Sequence, residues 1–143
     1  RMLLIQTPAS FRSDKLGDAI HFFRTVERGN ITLVWETRGP DWDKPETRAA
    51  LSKALKKVDV SHVVDPLKNL PAHIGAVAYF RLHGMGKRLY HYKYSDDELA
   101  RLRKLIAQFE SERAEVYVLF NNLAMWDDAA RFQRYLKTSP DPA

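Results

Sequence analysis

The sequence contains no cysteine, so disulfides, thiolate metal sites and a cysteine nucleophile are excluded. That absence accords with a reducing compartment. There is no apolar run long enough to cross a bilayer as a helix and no signal-peptide pattern, so the expected location is the cytoplasm. A Walker phosphate loop, a dinucleotide fingerprint and a Ser-His-Asp arrangement are also missing. Neither His-x-x-x-His nor Glu-x-x-His spacing occurs, which leaves a metal centre without support from spacing.

What is present suits one globular domain of 143 residues. The hydrophobic fraction is 45% and the aromatic fraction 11%, ample for a core. Residues 1–137 are expected to form the domain and 138–143 a frayed tail. The net charge of +5 comes mainly from Lys53, Lys56 and Lys57 and from Arg101, Arg103 and Lys104. Both groups fall in predicted helices, which reads as a solvated outer face. A nucleic-acid surface is the sharper alternative. Interspersed Glu46, Asp96, Asp97, Glu98 and Glu110 weaken it.

Five short apolar runs alternate with helical patterns. The runs are Met2 to Gln6, Ile31 to Glu36, Val60 to Asp65, Ala76 to His83 and Glu115 to Phe120. Leu16, Ala19, Ile20, Phe23 and Val26 repeat at helical spacing, predicting a helix from about Asp14 to Arg28. A second helix starts near Asp43 and Pro45 and carries Ala50, Leu51, Ala54, Leu55 and Val58 on one face. Ser95-Asp-Asp-Glu98 is a capping box that starts a third helix reaching about Glu110. A fourth covers about Asp127 to Leu136. The stretch from Leu67 to Gly75 is too short for a crossover helix. Strand–helix alternation at this spacing implies βαβ crossovers and a parallel α/β sheet.

Polar residues gather at the carboxyl ends of the strands: Gln6, Trp35-Glu36, Asp65, Arg81 with His83, and Asn121-Asn122. In parallel α/β folds this end forms the site. Some of these residues could instead cap the next helix, Asp65 and Asn122 above all. Strand parity puts Tyr79, Arg81 and His83 on one face and Phe80 and Leu82 on the other. A guanidinium on an inner face needs an anionic partner. Glu36, Asp65 or a bound anion could supply it, and a fixed Arg81–Glu36 pair is the structural alternative.

Five motifs in order then point to a family. Leu4-Ile-Gln-Thr-Pro-Ala-Ser-Phe11, Trp35-Glu-Thr-Arg38 with Trp42, Phe80-Arg-Leu-His-Gly84, Tyr92-Lys-Tyr-Ser-Asp-Asp-Glu-Leu99 and Val116-Tyr-Val-Leu-Phe-Asn-Asn122 together resemble the YecE-like family, whose function is unknown. The Leu-Phe-Asn-Asn-Leu-Ala-Met wording looks like its archaeal branch. The resemblance implies a (β/α)₈ TIM-barrel fold, with this chain matching roughly the C-terminal half, about strands four to eight. It further implies a missing N-terminal half, a partner chain or self-association, since an open half-barrel exposes apolar strand edges.

Three functions stay open. The first is an enzyme acting on a phosphorylated or otherwise anionic small molecule. Glu36, Asp65 and His83 are its candidate acid–base residues. Gln6, Trp35, Arg38, Arg81, Lys87, Asn121 and Asn122 are its candidate substrate contacts. Gly84-Met-Gly-Lys-Arg88 is the candidate phosphate loop. No cofactor is indicated, and a metal held by His83, Asp65 and Glu36 is a weaker variant. The second function is nucleic-acid binding, with Tyr90, Tyr92 and Tyr94 alternating with His91 and Lys93 as a stacking surface. The third is a non-catalytic partner protein.

Overall fold

The computed structural model describes residues 1–86, 89–111 and 115–138. Strand β1 (Met2–Gln6) is followed by a 3₁₀ turn at Ser13–Lys15 and helix α1 (Leu16–Thr25). Strand β2 (Thr32–Glu36) leads through a 3₁₀ turn at Pro40–Asp43 to α2 (Pro45–Val58) and β3 (Ser61–Val63). Then come β4 (Ala78–Leu82), a 3₁₀ turn at Leu89–His91, α3 (Asp96–Glu110), β5 (Val116–Phe120) and α4 (Met125–Thr138). The α/β alternation is as the sequence implies, and 67–75 holds no helix.

Helix ends follow local chemistry. In α3 the Ser95 hydroxyl accepts the Glu98 N–H at 3.2 Å, and Glu98 accepts the Ser95 N–H at 2.8 Å. Both otherwise orphaned donors are thereby satisfied. Helix α1 stops short of the expected Arg28. Val26 is already extended, and the Thr25 hydroxyl donates to the His21 carbonyl at 2.9 Å. Two β-branched residues in succession disfavour a further turn. Helix α2 begins on Pro45 and ends at Asp59, which takes the left-handed conformation at φ 49°.

The described strands form a three-stranded sheet, β1-β2-β3, and a two-stranded sheet, β4-β5; they are not closed into a barrel. In the first sheet Leu4 pairs with Val34 and Gln6 with Glu36 in parallel register, and Val34 pairs with Ser61. Register partners share a face. Leu33 and Trp35 therefore join one face, with Phe23, Trp42, Leu51 and Leu55 packed against them. Val34 and Val63 join the other, with Val77, Met2, Leu4 and Tyr79. The Trp35 ring meets Trp42 at 5.2 Å and Phe23 at 5.4 Å.

The chain divides into two units, one of Arg1–Val64 with Pro71–Tyr79, the other of Asp65–Leu70 with Phe80–Ala143. The division falls within β4. In the second unit Phe80 packs on Phe109 of α3 at 5.1 Å. Phe120 lies between Tyr94, at 5.7 Å, and Phe132 of α4, at 5.9 Å. Phe80 and Leu82 are buried while Tyr79 and Arg81 are half-buried, the alternation expected from parity. The stretch from Tyr90 to Tyr94 is a 3₁₀ turn followed by a segment without regular structure, and the expected alternation of exposed rings is absent. Tyr94 is buried, and its neighbour Gly84 needs φ 90° to turn back under it.

Candidate functional site

Each unit carries its own polar cluster at its strand ends. In the first, Gln6 and Glu36 are register partners at the carboxyl ends of β1 and β2. Arg38, two residues further on, donates from Nη2 to Glu36 Oε1 at 2.9 Å and to Gln6 Oε1 at 3.5 Å. The Glu36 side chain is 6% exposed, so the guanidinium compensates a carboxylate that water barely reaches. Trp35 lies outside this cluster. It has no exposed surface, its ring belongs to the core, and its Nε1–H donates to Thr7 Oγ1 at 3.2 Å. A wholly buried indole presents no face to a ligand.

Beside that cluster sits His62, which sequence reading passed over. Its Nδ1 accepts the Ala72 N–H at 3.1 Å. The ring proton therefore belongs on Nε2, 3.0 Å from Thr37 Oγ1. Burial lowers its pKa from 6.5 to about 4, the Arg48 charge pushes the same way, and Glu36 opposes both. A neutral imidazole with both nitrogens bonded is a brace. Its neighbours Ser61 and Val63 carry no signal of this role.

The second unit gathers Asp65, His83, Tyr94, Asn121 and Asn122. Asp65 Oδ1 accepts the Leu67 N–H at 3.1 Å, and Lys68 Nζ lies 3.6 Å from Oδ2. Oδ2 is buried without a hydrogen-bond partner. Burial raises the Asp65 pKa above its ordinary value, although Lys68 and the backbone N–H groups of Leu67 and His83 pull it down. A carboxyl so placed holds its proton longer than one in water. Asn121 reaches His83, with Nδ2 3.0 Å from Nδ1. An amide nitrogen only donates, so Nδ1 accepts, and in the neutral ring Nε2 carries the proton. The Asn121 backbone N–H also donates to the Leu82 carbonyl at 2.7 Å, which ties the ends of β4 and β5 together.

Tyr94 closes the floor of this cluster. Its hydroxyl accepts the Gly84 N–H at 2.7 Å. Burial, followed by the Asp65 charge, raises its pKa. Asn122 acts as a brace: its Nδ2 donates to the Tyr92 carbonyl and to Asp128 Oδ2, both at 2.7 Å. Asp128 has no exposed surface and also accepts from Arg131 at 3.1 Å. The Tyr92 hydroxyl donates to Glu98 at 2.6 Å. Of the three tyrosines proposed as a stacking surface, only Tyr90 is well exposed, and its ring stands edge-on to His83 at 5.8 Å. Arg81 sits half-buried on the face of β4 turned away from α3. Lys87 and Arg88 lie outside the described residues. Among the described residues, no three His, Cys, Asp or Glu side chains group closely enough to hold a metal ion. No helix among them is long and apolar enough to cross a membrane.

Residues 1–142 match the family model described as "Protein of unknown function DUF72". Among solved structures, a DUF72 family protein from Thermotoga maritima is 24% identical with a TM-score of 0.75, over 96% of this chain and 58% of that one. A DUF72 family protein from Enterococcus faecalis is 22% identical with a TM-score of 0.74, over 98% of this chain and 60% of that one. The chain thus spans about three fifths of the length of these relatives. No curated protein matches it. With the same α/β arrangement over nearly its whole length, the chain belongs to the DUF72 family, the YecE-like family of its sequence motifs.

Proposed function

We propose that this protein binds, and turns over, a phosphorylated or otherwise anionic small molecule at the strand ends of its second unit. The observation that carries the reading is Asp65, whose burial raises its pKa and which meets the backbone N–H of His83, together with a His83 ring whose tautomer is set by Asn121. Such a pair offers a general acid beside an imidazole N–H, the groups needed to move a proton at a bound substrate. Arg81 supplies the cation for the ligand's anionic group.

Calorimetric titration with inorganic phosphate and with a sugar phosphate tests this. Both are expected to bind, with affinity at least tenfold weaker in Arg81→Ala. In Asp65→Asn, binding should persist while any turnover is lost. Absence of binding in the unaltered protein, or binding indifferent to Arg81, would contradict the reading.

A set of exposed apolar side chains supports a polypeptide partner or self-association as well. Leu3 is exposed on β1, Leu119 on β5, Leu123 in the link that follows, and Met125 and Trp126 at the start of α4, more than isolated surface residues require. Native mass measurement should return a species heavier than 16.6 kDa; a strict monomer would remove this part of the proposal.

A further inference from the structure

The outer surface of the first unit carries a groove unrelated to the strand ends. It lies between α1 and α2 and has a volume of about 480 Å³. Its floor is apolar or small: Leu16, Gly17 and Ile20 from α1, Ala50 and Ala54 from α2. These positions recur at helical spacing, so each helix turns one continuous face to the groove. A Cβ added at Gly17 would meet nothing within 4 Å, so the groove is open there.

The rim is cationic. Arg24 on α1 and Lys53 and Lys57 on α2 line it together with His21, and no acidic residue does. The neighbouring Lys15 and Asp18 pair with each other at 3.8 Å. Among the described residues, Arg24, Lys53 and Lys57 take part in no ion pair or hydrogen bond of their side chains. Three uncompensated cations thus surround an apolar floor along two helices.

We propose that this groove docks an amphipathic helix of a partner protein, with an apolar ridge flanked by glutamates or aspartates. Two adjacent helices form a trough that takes the ridge of a third. The small floor residues let its backbone come close. The rim demands several negative charges, spaced over the about 10 Å that seven helical residues cover from Gly17 to Arg24. A fatty acid brings a single carboxylate and would leave two of the three cations unmet. Opposed charge across such a rim governs encounter rate and choice of partner.

The probe is a synthetic 18-residue helical peptide with leucines along one face and glutamates on both flanks, labelled for fluorescence anisotropy. It is expected to bind the full chain, more weakly at high salt. A Lys53→Glu/Lys57→Glu double variant, altered only at exposed positions, should weaken binding at least tenfold. Lys104→Glu on α3 should leave it unchanged. Amide resonances of Gly17 and Ala50 should shift on titration. The proposal is overturned if the peptide does not bind or if the double variant binds equally well. It is also overturned if a scrambled peptide of the same composition matches it, or if laurate alone binds with the Lys53 and Lys57 dependence.

Discussion

The two units differ in how they hold a buried strand-end carboxylate, Glu36 in one and Asp65 in the other. In the first, Glu36 is met by Arg38, and both nitrogens of His62 are engaged. Above them Trp35 and Trp42 form a dense aromatic core. In the second, Asp65 is buried with Oδ2 lacking a hydrogen bond, and the Lys68 ammonium at 3.6 Å and nearby backbone N–H groups offset its burial only in part. The first arrangement stabilises by completing contacts. The second leaves a carboxyl whose easiest relief is to keep its proton. Proton chemistry is better served by the second, which is why the proposed acid is Asp65 and the first cluster is assigned to anchoring.

Four perturbations sharpen that contrast. Trp35→Ala should have the largest effect, about 3–5 kcal/mol of stability lost in denaturant titration, since it empties the centre of the first core. A loss under 1 kcal/mol would mean that the core described here is not the main one. Next is the pH response of His62. Its folded pKa, about 4, lies below the ordinary 6.5, so the unfolded chain binds the proton first. Its stabilising contribution is complete above pH 6.5 and is lost as pH falls towards 4, by about 3 kcal/mol. Urea midpoints across that range should fall in the unaltered protein and flatten in His62→Gln; parallel curves would refute the assignment. Ser95→Ala removes the α3 cap and should cost about 1 kcal/mol by thermal melting. Asp65→Asn should act with the opposite sign. A carboxyl whose folded pKa is raised loses stability as pH climbs above its ordinary 3.8. The amide is spared that loss, so the variant should melt higher at neutral pH, and a lower melting temperature would count against a penalised carboxylate.

Much of the local fold was legible in the residues. The Ser95 box, the Pro45 start and the β4 alternation are local signals whose chemistry is complete within a few residues, and each is realised. What could not be read was which way tertiary packing would use an ambiguous side chain. Trp35 beside Glu36 looked like part of the strand-end cluster, yet strand parity together with Phe23 and Trp42 draws it into the core. The alternation from Tyr90 to Tyr94 suggested a stacking surface, but the Gly84 N–H and the Asp128 carboxylate, 34 residues away, hold the Tyr94 segment in place. His62 carries no local mark of its role, because both of its partners come from other segments.

The central claim is the raised pKa of Asp65, and carbon-13 NMR titration of the side-chain carboxyl, assigned against Asp65→Asn, tests it most directly. The account predicts a midpoint above the ordinary 3.8 that moves downward when phosphate is replaced by chloride only if the anion itself sits nearby. A midpoint at or below 3.8 would contradict the account and make Asp65 an ordinary ion-pair partner of Lys68.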